Sequence, residues 1–211
     1  MLLANGFVNT AEATPISLIN SDFETNWTGG TGWSGNGYIY QPTSNENLGW
    51  TFSAATGVSN SNTLWGGTAY SGNRFAFLQS HPIFQVLPQI SQSFTLASNQ
   101  DVTTNFFMAA RVGSIVSQGV LISIDGNAIT SFAANTTEWQ EKSVSLGLLT
   151  AGTHVLSFSG TYQGNLDTSA FLDKVSLNSF PASQAVPEPE SLALISLGFL
   201  GMAAMRRKKL V

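Results

Sequence analysis

The sequence predicts an all-β protein, a two-sheet β-sandwich followed by a short hydrophobic helix at the C-terminus. Short segments alternate between apolar and polar residues at the two-residue period of a β-strand. Glycine and asparagine separate these segments, and Asp125-Gly126-Asn127 is typical of a tight hairpin. Charged residues make up only 9% of the chain, which favours an exported all-β protein over a cytosolic helical one.

The alternating pattern predicts ten strands. In one of them Val120, Ile122 and Ile124 share a face, and in the last the same period places Asp173 on the apolar face with Val175. Short strands of this number, joined by Gly and Asn turns, are expected to pack as two sheets. The predicted strands are residues 16–23, 50–53, 74–79, 90–96, 102–112, 119–124, 128–132, 139–146, 153–160 and 170–179.

The chain is long enough for one domain with flanking segments. Its start ends in Ala11-Glu12-Ala13, the small-x-small pattern of a signal peptidase site, but lacks a basic region and a long apolar run. We interpret it as the end of a signal peptide that begins upstream; a disordered N-terminus is the alternative. The predicted segments are a signal-peptide remnant (1–13), the sandwich domain (14–181), a linker (182–190), a hydrophobic transmembrane helix (191–205) and a basic cytoplasmic tail (206–211).

Charge and cysteine content exclude several functions. The predicted domain has four cations and nine acidic residues, a net charge of −5. Binding of DNA or RNA depends on clustered cations that neutralise phosphates, so we expect no nucleic-acid partner. The chain has no cysteine, which excludes disulfides, thiol catalysis and zinc–thiolate sites. The stability of the domain must therefore come from packing or from a bound metal.

Two long segments, residues 25–49 and 54–73, lack a strand pattern and concentrate aromatic residues among Gly, Asn, Ser and Thr. Segments of this length without secondary structure are usually functional or disordered. Aromatic rings stack on apolar sugar faces while amides and hydroxyls bind sugar hydroxyls, so the mixture suits carbohydrate contact. Alternatively, the rings fold back as plugs over the edge of the sandwich. The aromatic residues are Trp27, Trp33, Tyr38, Tyr40, Trp65 and Tyr70, and the ligand-binding candidates among them are Trp27, Trp33, Trp65 and Tyr70.

Arg111 is a further candidate for sugar contact. It follows Phe107 and Ala109 at a spacing of two residues, so we expect it on the surface of a sheet. Its planar guanidinium offers several donors to sugar hydroxyls or uronate carboxylates. An ion pair with a neighbouring acidic residue is the alternative.

Side chains suited to catalysis are few. The histidines are His81 and His154, and neither lies in a nucleophile motif or at metal-ligand spacing. Glu138 and Glu141 come nearest to the carboxylate pair of a glycosidase, but beside a strand start we expect them to be solvated. The sequence therefore predicts a protein that is not an enzyme.

The C-terminal segment suits a membrane. The two prolines of Pro187-Glu188-Pro189 hold the chain extended before an uncharged run at residues 192–205. At ~1.5 Å per residue that run spans roughly 21 Å, less than the ~30 Å hydrocarbon core. Extending the helix backwards and letting the cations of 206–209 snorkel reduces the deficit and places the basic end in the cytoplasm. A buried core helix is the alternative.

The motif residues of this tail are Val186, Pro187, Glu188, Pro189, Arg206 and Arg207. A Pro-Glu-Pro sequence, a short apolar helix and a basic end in this order resemble the PEP-CTERM sorting signal of Gram-negative bacteria. The resemblance implies recognition by an exosortase-type protease, export with transient anchoring in the inner membrane, and cleavage near the motif. The implied destination is the cell surface or an exopolysaccharide matrix.

Five short stretches of the domain also match a known pattern: Ile19-Asn20-Ser21-Asp22-Phe23-Glu24, Trp50-Thr51-Phe52, Phe77-Leu78-Gln79, Ile90-Ser91-Gln92 and Phe171-Leu172-Asp173-Lys174-Val175-Ser176-Leu177. They resemble galactose-binding-like jelly rolls, which include many carbohydrate-binding modules. The resemblance implies a jelly-roll sandwich that binds exopolysaccharide or another glycan. A structural biofilm-matrix protein without a ligand site and a polysaccharide hydrolase are the alternatives.

A buried acidic residue in the last predicted strand needs a partner. In the resembling modules the first and last strands are neighbours whose acidic residues share a structural calcium, an ion that binds hard oxygen ligands. The resemblance therefore implies that Glu24 and Asp173, with Asp22 as a further ligand, bind one Ca²⁺. The alternatives for Asp173 are a salt bridge to Arg74 or Arg111 and hydrogen bonds from backbone amides.

Overall fold

The computed structural model describes residues 12–27, 30, 37–43, 49–81, 86–114, 117–161 and 166–182. Within these ranges the chain forms twelve strands and no helix. The strands are β1 (Thr14–Ile16), β2 (Tyr38–Tyr40), β3 (Thr51–Phe52), β4 (Thr56–Asn60), β5 (Arg74–Ser80), β6 (Gln89–Leu96), β7 (Gln100–Ala110), β8 (Gln118–Ile124), β9 (Asn127–Ala134), β10 (Gln140–Leu149), β11 (Gly152–Gly160) and β12 (Thr168–Pro181).

The strands form two antiparallel sheets. The seven-stranded sheet has the order β10-β7-β12-β5-β4-β2, and β1 pairs with the C-terminal half of β12. The five-stranded sheet has the order β3-β6-β11-β8-β9. This architecture confirms the predicted two-sheet jelly-roll β-sandwich. The pairing of Ile16 with Leu177 brings the two ends of the domain together.

Apolar residues on the facing surfaces of the sheets form the main core. The rings of Phe106 and Phe158 are fully buried there and meet edge to face, with centroids 4.9 Å apart. The predicted alternation in β8 is confirmed, because Val120, Ile122 and Ile124 all lie in this core. Burial of each such side chain contributes about 1.5–3 kcal/mol, so this layer supplies the main attraction between the sheets.

Asp125 and Gly126 form the two-residue turn between β8 and β9, with φ values of 51° and 78°. Positive φ at both positions is the conformation that Asp-Gly favours in a tight hairpin. The Asp125 carboxylate accepts a 2.8 Å hydrogen bond from the Val155 N–H and lies 2.7 Å from His154 Nδ1. This hydrogen bond raises the pKa of His154, a buried residue whose Nε2 lies 2.9 Å from Thr150 O. His154 therefore stabilises a hairpin.

The predicted extent of the first strand, residues 16–23, is wrong. β1 ends at Ile16, and Asn20 and Phe23 have φ values of 51° and 59°, outside the strand region. The Phe23 N–H donates to Asn20 O at 3.1 Å, and Asn20 Oδ1 accepts from the Thr25 N–H at 2.9 Å. Local hydrogen bonds thus replace strand pairing and direct Phe23 into the core.

Both long segments contain a strand that the alternation did not reveal. β2 lies in the first and β4 in the second, where β4 pairs with β2 on one side and β5 on the other. Four of the five residues of β4 are buried, because the strand is covered on both faces. A strand covered on both faces shows no apolar–polar alternation, which explains why the pattern missed it.

A register shift in β12 changes which residues share a face. Lys174 has a φ of 48°, and the pairing with β7 shifts between Asp173 and Ser176. Phe171 and Asp173 therefore lie on the outer face of the seven-stranded sheet, whereas Val175 lies in the main core. The prediction that Asp173 and Val175 share a face is wrong, because the bulge inserts one extra residue.

Candidate functional site

A second hydrophobic cluster lies on the outer face of the seven-stranded sheet. Residues 61–73, which we call the roof segment, cover this face. At Gly67 a Cβ would lie 2.9 Å from the Phe171 ring, so the roof segment approaches the sheet too closely for a larger residue. The buried members of the outer cluster are Trp65, Phe75, Phe77, Ala109 and Phe171.

Trp65 anchors the roof segment to the sheet. Its side chain is only 3% exposed and stacks on Phe77, with ring centroids 4.0 Å apart and planes 22° apart. The guanidinium carbon of Arg111 lies 4.6 Å from the Trp65 ring centroid. This position corresponds to the alternative in which an aromatic ring folds back over the sandwich.

Arg111 begins a chain of polar contacts across the end of the sheet. Its Nη1 donates to Asp167 Oδ2 at 2.9 Å. An ion pair with an acidic residue was the alternative to sugar contact that the sequence allowed for Arg111. Gln79 Nε2 donates to Asp167 Oδ1 at 2.7 Å, and the Tyr40 hydroxyl donates to Gln79 Oε1 at 2.5 Å. Burial raises the pKa of Tyr40 to about 12, so this hydroxyl stays protonated. The contacts fix the orientation of the Asp167 carboxylate.

The Arg111–Asp167 pair borders an open cavity of about 250 Å³. The Arg111 side chain is 24% exposed and the Asp167 side chain 39%, so both present polar atoms to solvent. Val112 and Leu166 are exposed apolar residues beside the pair. We call this cavity the Arg111 cleft; its described lining residues are Arg111, Val112, Gly113, Ser114, Leu166 and Asp167.

Trp27, another candidate for ligand contact, is half-buried against the main core. The Arg74 guanidinium carbon lies 4.8 Å from its ring centroid, and Arg74 Nη2 donates to Asn26 Oδ1 at 2.6 Å. These contacts hold Trp27 on the sandwich, away from the Arg111 cleft. Trp33 lies outside the described residues, so its assignment stays a prediction.

Tyr70 lies on the surface of the roof segment. One face of its ring stacks on Phe107 at a centroid distance of 3.5 Å and an interplanar angle of 12°. Lys174 Nζ lies 5.5 Å from the ring centroid. Tyr70 is still exposed, but its apolar faces are engaged by neighbouring side chains of the domain.

Glu24 and Asp173 both bind the backbone of the roof segment and the strand after it. Glu24 Oε1 accepts hydrogen bonds from the N–H groups of residues 73–74 at 2.9 and 2.6 Å. Asp173 Oδ2 accepts from the Ser71 N–H at 2.9 Å, and its Oδ1 accepts from the Lys174 N–H at 2.7 Å. The structure thus contains the backbone-amide contacts that the sequence left as an alternative for Asp173.

The carboxylates of this acidic pair are hard oxygen ligands of the kind that calcium takes. Asp173 is fully buried, and this burial raises the pKa of Asp173 to about 7, with the nearby Glu24 carboxylate adding to the rise. Asp22 Oδ1 accepts a long, 3.4 Å hydrogen bond from the Glu24 N–H. In the described part of the chain, no group of three or more Asp, Glu, His or Cys side chains converges. Backbone carbonyls or water would have to complete a calcium site.

Three residues of the outer face were not selected from the sequence. Gln79 and Asp167 are 88 positions apart and meet only because β5 pairs with β12. Trp139 Nε1 donates to Thr68 O at 2.8 Å, which ties the roof segment to the start of β10. Trp139 also borders a second cavity of about 250 Å³, which shares Val112 with the Arg111 cleft. The only sequence signal for Trp139 was its position as the first residue of the predicted strand 139–146.

The candidate glycosidase acids lie apart from the Arg111–Asp167 pair. Glu138 precedes β10 and borders the second cavity, and Glu141 lies on β10 opposite Phe107. Both side chains are exposed, as expected for solvated acids. Asp167 is the one carboxylate among the described lining residues of the Arg111 cleft.

Residues 185–208 match the model of the PEP-CTERM protein-sorting motif. The chain carries a PEP-CTERM sorting signal. This signal indicates export and sorting to the cell surface in bacteria. The PEP-CTERM residues and the predicted hydrophobic helix lie outside the described residues, and within those residues no helix has the length and apolar character to cross a bilayer.

Solved structures similar to the domain before the PEP-CTERM signal include carbohydrate-binding modules. The CBM22-1 xylan-binding domain of Paenibacillus barcinonensis Xyn10C is 14% identical, with a TM-score of 0.47 over 64% of this chain and 88% of that one. A family 35 module from Clostridium thermocellum is 18% identical, with a TM-score of 0.40 over 63% and 98%. TmCBM61, solved with β-1,4-galactotriose, is 18% identical, with a TM-score of 0.40 over 61% and 86%. Among curated proteins, none matches this sequence significantly.

Proposed function

We propose that this chain is a non-catalytic exported protein that binds exopolysaccharide or another glycan at the Arg111 cleft. One observation carries the proposal: a partly exposed Arg111–Asp167 pair lines the same cleft as two exposed apolar side chains, Val112 and Leu166. Sugars offer both hydroxyls and apolar C–H faces, so they need polar and apolar contacts side by side. The sorting signal indicates export to the cell surface, where polysaccharides are available, and this supports the proposal.

The polar contacts behind the cleft favour binding because they reduce its entropic cost. Gln79 holds one carboxylate oxygen of Asp167 and Arg111 holds the other, while Tyr40 fixes the orientation of Gln79. A carboxylate and a guanidinium held in this way need little reordering when sugar hydroxyls arrive. Arg111 retains further N–H donors for the ligand.

The same geometry supports a binding role rather than catalysis. Most glycoside hydrolases use two carboxyl groups that flank the scissile bond. Asp167 is the one such group among the described lining residues of the Arg111 cleft, and it is paired with Arg111. Turnover of a polysaccharide panel by the purified protein would revive the hydrolase alternative.

Substitution of Arg111 tests the proposed site. Arg111→Gln removes charged hydrogen bonds, and we expect roughly 10- to 100-fold weaker retention of the protein in gels that contain the producer's exopolysaccharide. Lys142→Gln is the matched control, because Lys142 also lies over an aromatic ring, 5.4 Å from the Phe132 centroid, at another edge of the domain. Circular dichroism should show both variants folded. Absence of saturable binding by the parent protein would favour the structural-matrix alternative.

Trp33 is a second, independent test of glycan contact. If the segment around Trp33 contributes a stacking ring, Trp33→Ala lowers affinity without lowering the melting temperature. Trp65→Ala is a poor test of ligand contact, because Trp65 is buried and its loss would destabilise the domain. Equal glycan affinity of Trp33→Ala and the parent would remove Trp33 from the site.

Calcium is the cofactor that we assign to Glu24 and Asp173. When bound, the ion would neutralise two carboxylates that otherwise lie close together next to the roof segment. It would also hold the segment around Asp22, near the first strand, against β12. The role is structural, because these residues stabilise the loop that covers the outer cluster rather than line the Arg111 cleft.

The sorting signal supports a proposed cellular route. An exosortase-type protease is the expected processing partner, and the hydrophobic segment is expected to anchor the chain transiently in the inner membrane. Cleavage near Pro187-Glu188-Pro189 would then release the domain to the surface or matrix of a Gram-negative cell. Detection of the tail-free domain at the surface, and its absence in a strain without the protease, would support this route.

A further inference from the structure

Two further cavities adjoin the Arg111 cleft. The second cavity, which Trp139 borders, shares Val112 with the cleft. A third cavity, of about 270 Å³, shares Arg111 with the cleft and Thr137 with the second cavity. All three therefore surround the turn in which the Ser114 N–H donates to Arg111 O at 3.3 Å. Their shared lining residues make them one continuous depression.

The second cavity offers the polar and apolar contacts that a sugar needs. The Trp139 ring is partly exposed, and its Nε1 already donates to Thr68 O, so the ring presents an apolar surface to a ligand. Edge-to-face contact with Phe75, at a centroid distance of 6.1 Å, holds this ring on the sheet. Glu138 is exposed beside it, and its carboxylate can accept hydrogen bonds from hydroxyls. A sugar in this cavity would meet a fixed ring next to a hydroxyl acceptor.

Each cavity alone is small for a glycan. Pockets that hold drug-sized ligands usually measure about 300–1,000 Å³, so a cavity of about 250 Å³ suits roughly one sugar unit. A single unit makes few contacts to offset the freedom that is lost on binding. A chain that passes from the Arg111 cleft across Val112 into the second cavity would bring two units into contact at once. A polysaccharide therefore fits the depression better than a free sugar.

The charges around the depression disfavour an acidic glycan. Among the described residues that line the three cavities, Arg111 is the one cation, and Asp167 already neutralises it. Glu138 adds a negative charge in the second cavity. A uronate or sulfate group would therefore find no unpaired cation in this lining and would be repelled by Glu138. The other cations of the predicted domain lie over aromatic rings elsewhere: Arg74 over Trp27, Lys142 over Phe132 and Lys174 over Tyr70.

We infer that the glycan bound at the Arg111 cleft is uncharged and that its chain continues into the second cavity. This inference rests on the proposed function and adds the charge class of the ligand and the direction of its chain. Hydroxyls would bind Arg111 and Asp167 in the cleft and Glu138 in the second cavity, while C–H faces pack on Val112 and Trp139. An amino-sugar chain fits less well, because its cations would compete with Arg111 for Asp167.

Fractionation of the ligand tests its charge. The producer's exopolysaccharide is separated by anion exchange into neutral and acidic fractions, and each is cast into a gel through which the full-length protein migrates. The neutral fraction should retain the parent protein. An increase of about tenfold in salt concentration should leave this retention unchanged, because salt weakens contacts between charges.

Two results of this experiment have different meanings. Retention by the acidic fraction alone, abolished in Arg111→Gln, would overturn the inference and keep the Arg111 cleft as a glycan site. Retention by neither fraction would contradict the proposed function itself.

Glu138→Ala tests the extension into the second cavity. It removes one hydroxyl acceptor, so we expect roughly three- to tenfold weaker binding of neutral fragments several sugars long, and unchanged binding of single sugars. Thr137→Trp, at an exposed position that borders the same cavity, should block it and have a larger effect of the same kind. Calorimetric titration measures both.

Glu141→Ala is the matched control for Glu138→Ala. Glu141 is an exposed acid of β10 that is not among the described lining residues of the three cavities, so its variant should bind like the parent. Circular dichroism should show all three variants folded. Parent-like binding of long fragments by both Glu138→Ala and Thr137→Trp would overturn the extension and confine the glycan to the Arg111 cleft.

Discussion

Replacement of Trp65 by alanine is expected to lower the free energy of unfolding by roughly 3–5 kcal/mol, the range for loss of a large buried aromatic side chain. Trp65 is 3% exposed, stacks on Phe77 at 4.0 Å and lies beneath the Arg111 guanidinium. Its removal would leave a cavity under the roof segment and remove an apolar partner from Arg111. Urea denaturation followed by circular dichroism measures the loss.

Leu64→Ala is the matched control for Trp65→Ala. Leu64 is the preceding residue of the roof segment but is 72% exposed, so its truncation should change stability by no more than about 0.5 kcal/mol. The two variants together separate an anchor from a ligand contact. A stable Trp65→Ala protein that fails to bind glycan would contradict the anchor interpretation and return Trp65 to the ligand-binding residues.

The second large effect concerns Asp173. In calcium-free buffer the free energy of unfolding should fall as pH rises from about 4 to about 7, by up to roughly 4 kcal/mol, because burial raises the pKa of Asp173 to about 7. In this window the folded protein keeps a proton that the unfolded chain has lost. Raising the pH therefore penalises the folded state. Thermal unfolding at several pH values measures the slope.

Calcium should counteract this loss above pH 7. An ion bound by Glu24 and Asp173 would stabilise the charged carboxylates, and free calcium at 100 times its dissociation constant would add about 2.7 kcal/mol. Asp173→Asn should lose both the pH slope and the response to calcium. Asp101→Asn, which alters another acid of the same sheet, should keep both.

Two results would contradict the calcium assignment. Calorimetric titration of the metal-stripped protein could show no binding, and calcium could leave its melting temperature unchanged. The pH slope without calcium would then stand as the property of a buried acid held by backbone amides. A flat pH profile would contradict the burial of an ionisable Asp173 itself.

The sequence predicted the sandwich because most strands have one face in the core and one in solvent. β8 shows this directly, since Val120, Ile122 and Ile124 are all buried. β4 was missed because it is covered on both faces and contains Gly, Ser and Asn, residues that form a strand there only through pairing with β5. The bulge at Lys174 was also missed, because a strict two-residue period cannot represent an inserted residue.

The candidate site was predictable in residue type but not in arrangement. Arg111 was selected for its donors and Trp65 for its ring, and the structure brings these two together. Their polar partners, Gln79 and Asp167, reach them only through the register of β5 and β12, which the sequence does not encode locally. The burial of Trp65 likewise depends on the register of β5 and β12.

The central claim is that a sorted, exported domain holds glycan through the Arg111 cleft. The most direct measurement is fractionation of a host that possesses the sorting machinery, with and without enzymatic removal of its exopolysaccharide. We predict that the parent domain is retained at the cell surface and is released when the polysaccharide is digested. The Arg111→Gln variant should be found largely in the medium. Full-length, uncleaved protein soluble inside these cells, or surface retention that survives both treatments, would contradict the claim.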